Sequence, residues 1–372
     1  MKSPSAFLVM LLIVCAASAA PARADGLQDN QPELWKDVSV RTGEPAFFVS
    51  SPDGKPQALL LLAPRRLTRA YLASDGKDFP IEDFKVDGRR VTYIGHGALP
   101  FEPAGDIYPR EKTAHSIGRH IDGGHYLLFS EGSYFHNRQV CFDYVTDEQW
   151  SGPVPENQAD KFSRLRELIA RKAPINVVVL GDSISVGANA TAFLRVYPNT
   201  PAYDRQFINR LETVSGCPVD FHNLSKGGMQ SSWGLAQVPE VTRLTPNLLI
   251  VAFGMNDCSA GVSPDAYAKN IAGIVEQLRA RFPAMEAVVV DGMSANPDWN
   301  GGNAKTRVAY SARLRAIAEP HTVICDVRGI WDYVVSRKGF LSVTGNGVNH
   351  PNDFGHRLYA NVMIQTVLGS VD

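Results

Sequence analysis

Four short clusters of polar residues and glycines stand out in this sequence, and together they carry the groups that acyl transfer needs. The clusters lie at residues 181–185 (GDSIS), 223–228 (NLSKGG), 254–257 (GMND) and 349–355 (NHPNDFG). Ser183 is a candidate nucleophile, and His350 is a candidate base that accepts its proton. The backbone N–H of Gly228 and the side-chain amide of Asn256 are candidate donors to the negative oxygen of a tetrahedral intermediate.

The first three clusters each lie at the end of a predicted strand. The predicted strands are residues 175–180 (INVVVL), 219–224 (VDFHNL) and 248–253 (LLIVAF), and further ones lie at 287–290 and 322–327 (TVICDV). Most of these are apolar runs, as expected of buried parallel strands. Helical patterns lie between them, most clearly at residues 264–282. Alternating strands and helices predict an α/β fold with a parallel sheet covered on both faces. Because ligands bind at the carboxyl ends of such strands, we expect the four clusters to meet at one edge.

The four clusters, in this order, resemble the sequence blocks of the SGNH, or GDSL-like, hydrolase superfamily over roughly residues 170–370. The resemblance implies a three-layer, flavodoxin-like parallel sheet and a serine esterase that uses no metal and no organic cofactor. It also implies that Ser183 and His350 are catalytic and that Gly228 and Asn256 belong to the oxyanion hole. The GxSxG motif of α/β-hydrolases is absent around Ser183, so that other fold is not indicated.

The histidine cluster departs from the family pattern at one position. Members usually carry an aspartate three residues before the histidine, but here that position is Gly347, and the nearby polar residues are Asn346 and Asn349. A neutral amide can orient an imidazole, although it stabilises an imidazolium less than a carboxylate does. Some members use a Ser–His dyad in which a backbone carbonyl orients the ring, and we predict that arrangement here. Asp353 and Asp326 are the alternative acids.

Residues 1–24 have the pattern of a secretory signal peptide. Lys2 gives the positive start, residues 7–15 (FLVMLLIVC) form an apolar stretch, and alanines at positions 22 and 24 suit a signal peptidase. The apolar stretch is shorter than the roughly 20 residues of a membrane-spanning helix, and no later stretch is long and apolar enough to span. We therefore expect a periplasmic or extracellular protein with no membrane span after signal removal.

Residues 25–155 have the pattern of an all-β sandwich domain. Short runs rich in β-branched, aromatic and aliphatic residues alternate with turn-forming sequences that contain glycine and aspartate. The runs are residues 46–50, 58–63, 90–94, 125–130 and 139–145. A stretch with proline and glycine at residues 149–158 (QWSGPVPENQ) predicts a linker, so the hydrolase domain is assigned to residues 156–372.

Composition and residue spacing exclude several classes of function. The chain has 372 residues, with 37 Lys and Arg against 38 Asp and Glu, so it lacks the positive charge that nucleic-acid binding requires. The four cysteines beyond the predicted signal form no CxxC pair, which disfavours a zinc site, and their disulfide pairing is open. His115, His120 and His125 recur at a spacing that fits neither a helix face nor a strand face, so we expect no metal site there.

An export signal, a β-sandwich and a Ser–His domain together resemble two-domain bacterial carbohydrate esterases. This resemblance predicts a secreted acetylesterase whose substrate is an acetylated carbohydrate. Trp233 and Trp299 follow the second and fourth predicted strands, where each ring can either stack on a sugar or pack in the fold. The alternatives are a lipid-directed acylhydrolase or thioesterase, an acetyltransferase that uses the same residues, and a glycan-binding protein without catalytic activity.

Overall fold

The computed structural model describes residues 33–318 and 321–369, so the predicted signal peptide lies outside the described residues. Antiparallel β-sheets make up the first part of the described chain, and strands alternate with helices in the second part. The helices found in these residues are all too short or too polar to cross a lipid bilayer.

Two four-stranded antiparallel sheets and one two-stranded sheet build the N-terminal region. The strands are β1 (Val40–Phe47), β2 (Val49–Ser50), β3 (Pro56–Leu59), β4 (Pro64–Leu72), β5 (Asp78–Phe79), β6 (Phe84–Asp87), β7 (Arg90–Tyr93), β8 (Ser116–Ile117), β9 (Leu127–Leu128) and β10 (Gln139–Thr146). The larger sheets have the orders β1-β10-β4-β5 and β2-β3-β7-β6, and β8 pairs with β9. Phe142 of β10 meets Phe84 of β6 edge-on, with ring centres 5.1 Å apart. The predicted all-β character is confirmed, and the helix α1 (Ala104–Ile107) is a single turn.

The extents of individual strands in this region were harder to predict. β4 runs beside β10, yet it has no continuous apolar run, because Leu67 and Ala70 are buried while Arg65, Arg66 and Arg69 are exposed. The run at residues 125–130 forms only the two-residue strand β9, so the six-residue strand expected there is wrong in extent. The chain after β9 leaves the sheet and bonds to the C-terminal region instead.

A five-stranded parallel sheet organises the C-terminal region. Its strands are β11 (Ile175–Gly181), β12 (Val219–Asn223), β13 (Leu248–Ala252), β14 (Glu286–Asp291) and β15 (Thr322–Asp326). They lie in the order β12-β11-β13-β14-β15, and every neighbouring pair is parallel. The runs predicted as strands form all five, and this order is that of a flavodoxin-like fold, as predicted.

Helices cover both faces of the parallel sheet and make the region three layers deep. They are α2 (Ser163–Ala170), α3 (Ser183–Val186), α4 (Thr191–Leu194), α5 (Tyr203–Ser215), α6 (Ser231–Ala236), α7 (Val238–Arg243), α8 (Met255–Ser259), α9 (Pro264–Arg281), α10 (Ala304–Ala316), α11 (Val327–Lys338) and α12 (Asp353–Leu368). Val177 and Val179 of β11 pack in one core with α5 and α12, whereas Val178 and Leu180 pack in a second core with α7 and α9. This alternation is the two-residue period of a strand buried on both faces. Cys141, Cys217, Cys258 and Cys325 are all buried, and none is in a disulfide.

The N-terminal and C-terminal regions share one continuous hydrophobic core. Phe48, between β1 and β2, and Tyr144 of β10 belong to the same cluster of buried side chains as Trp331 of α11 and Phe354 of α12. A sequence boundary near residue 155 therefore separates two kinds of secondary structure that are packed together, and the predicted division into domains stays a prediction.

A buried ion pair crosses this shared core. Lys338 at the end of α11 is 0% exposed and Glu44 of β1 is 5% exposed, with 2.6 Å between Nζ and Oε1. The hydroxyl of Tyr144 donates to the second carboxylate oxygen of Glu44 at 2.7 Å. Burial lowers the pKa of Lys338, and the charge of Glu44 opposes that effect. Neither charge is exposed to water, so each depends on the other.

Removing one member of this pair tests how strongly it couples the two regions. Lys338→Met leaves the Glu44 carboxylate buried without its cation, and we expect the free energy of unfolding, measured by urea denaturation, to fall by about 3–5 kcal/mol. The double variant Glu44→Gln/Lys338→Met should recover part of that loss, because it leaves no unpaired charge. Asp78→Asn, which breaks an exposed pair with Arg69, is the control and should leave stability nearly unchanged. Equal effects from Lys338→Met and the control would contradict this role.

Candidate active site

The carboxyl ends of three neighbouring strands bring the predicted site residues to one edge of the parallel sheet. β11 ends at Gly181, and Ser183 begins α3 two residues later. Gly228 lies in the turn after β12, and Asn256 lies in α8 after β13. β12 and β13 flank β11 on opposite sides, which makes this the point where an open α/β sheet leaves a crevice for ligands.

His350 reaches the same edge from the loop that precedes α12 and is hydrogen-bonded to Ser183. The distance between His350 Nε2 and Ser183 Oγ is 2.9 Å. Both side chains are partly exposed, so a substrate can approach them from solvent. The structure thus brings together the two residues predicted to be catalytic, although they lie 167 positions apart in the chain.

Asn189 determines which nitrogen of His350 carries the proton. Its Oδ1 lies 2.8 Å from His350 Nδ1. Its Nδ2 donates to the carbonyl of Gly345 at 3.2 Å and to that of Gly132 at 3.4 Å, so the amide oxygen must face the histidine. Nδ1–H therefore donates to Asn189, and Nε2 is left to accept the proton of Ser183. This is the tautomer that a general base requires.

Ser183 is held by the first turn of α3. Asp182, the residue before it, is buried and caps the helix by accepting a hydrogen bond from the backbone N–H of Ile184 at 3.0 Å. Burial raises the pKa of Asp182 to about 6, while the bond from Ile184 and the charges of His350 and Arg307 act in the opposite direction. The aspartate of the GDS sequence thus holds the helical turn on which Ser183 lies.

The predicted oxyanion donors lie on two segments that are bonded to each other. Asn256 Nδ2 donates one hydrogen to the carbonyl of Met229 at 3.1 Å, which leaves its second hydrogen for a ligand. Gly228, beside Met229, has a φ of +77° with open space where a side chain would lie. Asp257 is buried and accepts hydrogen bonds from the N–H and hydroxyl of Ser231, so it fixes α8 against α6. The oxyanion roles of Gly228 and Asn256 stay predictions.

Packing explains why the family aspartate is replaced by Gly347. The backbone there has a φ of +89°, a conformation that side chains with a Cβ rarely adopt. A Cβ at this position would collide with the carbonyl oxygen of Leu128 and would lie 2.6 Å from the ring of Phe135. Both of those residues belong to the N-terminal region, which occupies the space that an aspartate would need.

Neither alternative acid is bonded to His350 in the described residues. Asp353 accepts hydrogen bonds from the N–H of Thr191 at 2.8 Å and from its hydroxyl at 2.7 Å. Asp326 caps α11 and pairs with Arg315 at 2.7 Å. The predicted orienting group, a backbone carbonyl, is also not the group observed, because the side-chain oxygen of Asn189 occupies that position.

Two residues near His350 were missed by sequence reasoning. Asn189 has a φ of +63°, which asparagine tolerates better than most residues, but no motif in the sequence marks it. Glu131, from the loop after β9, lies with its Oε1 3.8 Å from His350 Nδ1. Only the packing of the two regions brings these residues to the histidine.

The other sequence candidates lie in packing contacts. Trp233 meets Phe253 with ring centres 6.4 Å apart, and Trp299 lies over Gly118 of the N-terminal region. His120 and His125 both contact Asp122, at 3.1 and 2.7 Å. Among the described residues no group of histidines, cysteines and carboxylates is arranged to hold a metal ion.

Residues 179–358 match the model of the GDSL-like Lipase/Acylhydrolase family, a span that begins in β11, ends in α12 and contains all four predicted site residues. A search of the curated proteins finds no match.

Several solved structures are similar to the chain at low identity. A two-domain esterase active on acetylated mannans, co-crystallised with mannopentaose, is 18% identical, has a TM-score of 0.46, and the match covers 59% of this chain and 57% of that one. Axe2, an acetylxylan esterase from Geobacillus stearothermophilus, is 16% identical with a TM-score of 0.44, over 52% of this chain and 94% of that one. TesA is 21% identical with a TM-score of 0.41, over 50% and 95%.

These identities and TM-scores are too low to assign a function. The family assignment depends on the family model, whose match includes the turns after β11, β12 and β13 and the histidine loop. Residues 179–358 therefore form a GDSL-like lipase/acylhydrolase domain, and the chain is an ester hydrolase.

Proposed function

We propose that this protein is a serine esterase in which Ser183 and His350 carry out the hydrolysis of acyl esters. The observation that supports this proposal most is the hydrogen bond of 2.9 Å between Ser183 Oγ and His350 Nε2. It is combined with the hydrogen bond between His350 Nδ1 and Asn189 Oδ1. A serine next to a correctly protonated imidazole, in a partly open crevice, has the geometry of an activated nucleophile.

The proposed reaction has two steps. Ser183 Oγ attacks the acyl carbon and its proton moves to His350 Nε2, and the negative oxygen that forms is bound by the backbone N–H of Ser183 and Gly228 and by the Asn256 amide. Collapse of this intermediate breaks the bond to the alcohol oxygen, which leaves with the proton from His350. Water, deprotonated by the same histidine, then attacks the acyl-enzyme and releases the acid and free Ser183. These steps use only protein groups and water.

We propose an acetyl ester on a carbohydrate as the substrate. Residues 296–300 are attached to the histidine loop through Asn296, whose Nδ2 donates to the carbonyl of Gly347 at 2.9 Å. This segment contains the partly exposed ring of Trp299 and the carboxylate of Asp298, which accepts from the hydroxyl of Tyr108. Flat rings next to polar groups suit the two kinds of surface that a sugar presents. The sequence pattern of a signal peptide at residues 1–24 supports a substrate outside the cytoplasm, and we propose that the protein is exported to the periplasm or beyond.

One observation favours a longer acyl chain as the second candidate. α4 begins two residues after Asn189 and exposes Phe193, whose side chain is 53% accessible. An exposed aromatic so near the catalytic histidine's partner in sequence is a candidate wall for a lipid-directed acylhydrolase or thioesterase. Transfer of acetyl to a sugar acceptor would use the same catalytic residues, and it would be detected as acetylated product when an acceptor glycan is supplied.

Removing the nucleophile tests the proposed mechanism directly. Ser183→Ala should lower kcat on 4-nitrophenyl acetate by about 10³-fold or more, because no other group can form the acyl-enzyme. Ser336→Ala, which removes an exposed hydroxyl of α11, is the matched control and should keep full activity. Residual activity of Ser183→Ala close to that of the control would rule out the mechanism.

The acyl length separates the two substrate candidates. We expect kcat/KM to be about tenfold or more higher on 4-nitrophenyl acetate than on the octanoate, and acetate release from acetylated xylan or mannan by the same preparation. Phe193→Ala should then affect both nitrophenyl esters equally. A preference for octanoate that Phe193→Ala abolishes would instead establish the lipid-directed candidate.

A further inference from the structure

The segment that follows β9 lies directly against the histidine loop. The N–H of Ser130 donates to the carbonyl of Asn346 at 3.2 Å, and the carbonyl of Gly132 accepts from Asn189 Nδ2 at 3.4 Å. Leu128, the last residue of β9, lies over Gly347. The N-terminal region is therefore in contact with the residues that orient His350, and Glu131 lies in the middle of that contact.

Glu131 faces the side of His350 that points away from Ser183. Its Oε1 accepts a hydrogen bond from Asn346 Nδ2 at 3.2 Å and lies 3.8 Å from His350 Nδ1. Burial raises the pKa of Glu131, but the neighbouring His350, Asn346 and Asn189 outweigh that effect, so the pKa is lower than usual. The side chain is therefore an anion at neutral pH, and it remains 49% exposed.

Asn346 keeps this carboxylate in place. Its Oδ1 accepts the backbone N–H groups of Val348, Asn349 and His350, which fixes the orientation of the amide. Its Nδ2 must then point toward Glu131, and also toward Asn349 Oδ1 at 2.9 Å. Asn346 Nδ2 lies 3.1 Å from His350 Nδ1. Because both atoms carry hydrogens, Asn346 Nδ2 cannot accept the hydrogen bond that Nδ1–H donates to Asn189.

The charge of the His350 ring changes during the proposed reaction, and so does the group needed beside it. Before reaction His350 is neutral, and the amide oxygen of Asn189 is enough to hold its tautomer. Once the proton of Ser183 reaches Nε2, the ring is an imidazolium, and a neutral amide stabilises that charge much less than a carboxylate does. The family aspartate that would do so is excluded by the packing at Gly347.

We propose that Glu131, supplied by the N-terminal β region, is the carboxylate that stabilises the His350 imidazolium during catalysis. This inference rests on the proposed function, since it requires His350 to take the proton of Ser183. Glu131 acts through the histidine and touches no substrate, so it is a positioning residue. The N-terminal region thereby contributes a charge to an active site whose other groups come from the family domain.

Other titratable groups around His350 leave this role to Glu131. Asp182 lies beneath the serine, and its carboxylate is engaged by the N–H of Ile184. His356 is buried in α12, and burial lowers its pKa to about 4, so it is neutral at the pH of the assay. In the described parts of the chain, the carboxylate within 4.0 Å of the His350 ring is that of Glu131.

The test compares Glu131→Gln with the parent enzyme and with Glu82→Gln, an exposed glutamate of the N-terminal region. The amide oxygen introduced by Glu131→Gln can still accept the hydrogen bond of Asn346, so the substitution removes the charge and keeps the contact. We expect kcat on 4-nitrophenyl acetate to fall by about 10- to 100-fold with little change in KM, because the charge matters only once the imidazolium forms. Glu131→Asp should restore part of the loss, and Glu82→Gln should behave as the parent.

The pH profile distinguishes this charge effect from a structural one. A carboxylate favours the protonated imidazole, so its removal should move the acid limb of kcat/KM against pH to lower pH while the melting temperature stays unchanged. An unchanged acid limb and kcat in Glu131→Gln, with Ser183→Ala inactive, would overturn this inference and leave the proposed function intact. Activity retained in Ser183→Ala would overturn the proposed function itself.

Discussion

The proposed catalytic geometry depends on one hydrogen bond, from His350 Nδ1–H to Asn189 Oδ1. Without it the ring could turn or carry its proton on Nε2, and Ser183 would then face a donor rather than a base. The bond is reliable because Asn189 cannot turn its amide over: two carbonyls, one from the histidine loop and one from the N-terminal region, accept its hydrogens. In the proposed mechanism, three separate segments of the chain must therefore be folded before Ser183 can be activated.

The same packing explains both the missing aspartate and its suggested replacement. Leu128 and Phe135 lie where a side chain at position 347 would lie, so the N-terminal region and the usual family acid are mutually exclusive there. The region that excludes one carboxylate carries another, Glu131, on the neighbouring stretch of chain. In the sequence, Gly347 in place of aspartate indicates that the acid is missing. In the proposed arrangement, the acid is Glu131, which lies in the loop after β9.

Features that depend on neighbouring residues could be predicted from the sequence, and features that depend on distant contacts could not. The strands β11, β13 and β14 could be predicted because burial on both faces makes their sequences largely apolar. Ser183 closely follows β11, and Asn256 closely follows β13. Asn189 and Glu131 reach the histidine loop only through contacts between residues 161 and 215 positions apart. β4 also escaped prediction, because its two buried residues, Leu67 and Ala70, lie three positions apart among exposed arginines, so no two-residue alternation marks the strand.

The shared core supports the part in function that we propose for the N-terminal region. Buried aromatic side chains from both regions form one cluster, and the Glu44–Lys338 pair lies within it, at the junction of β1 and α11. Such a core holds the segment at residues 128–132 at a fixed distance from His350, which a flexible linker between independent domains would not do. A carboxylate 3.8 Å from the imidazole can stabilise its charge only if that distance is maintained. The proposed effect of Glu131 on His350 therefore requires the hydrophobic contact between the two regions.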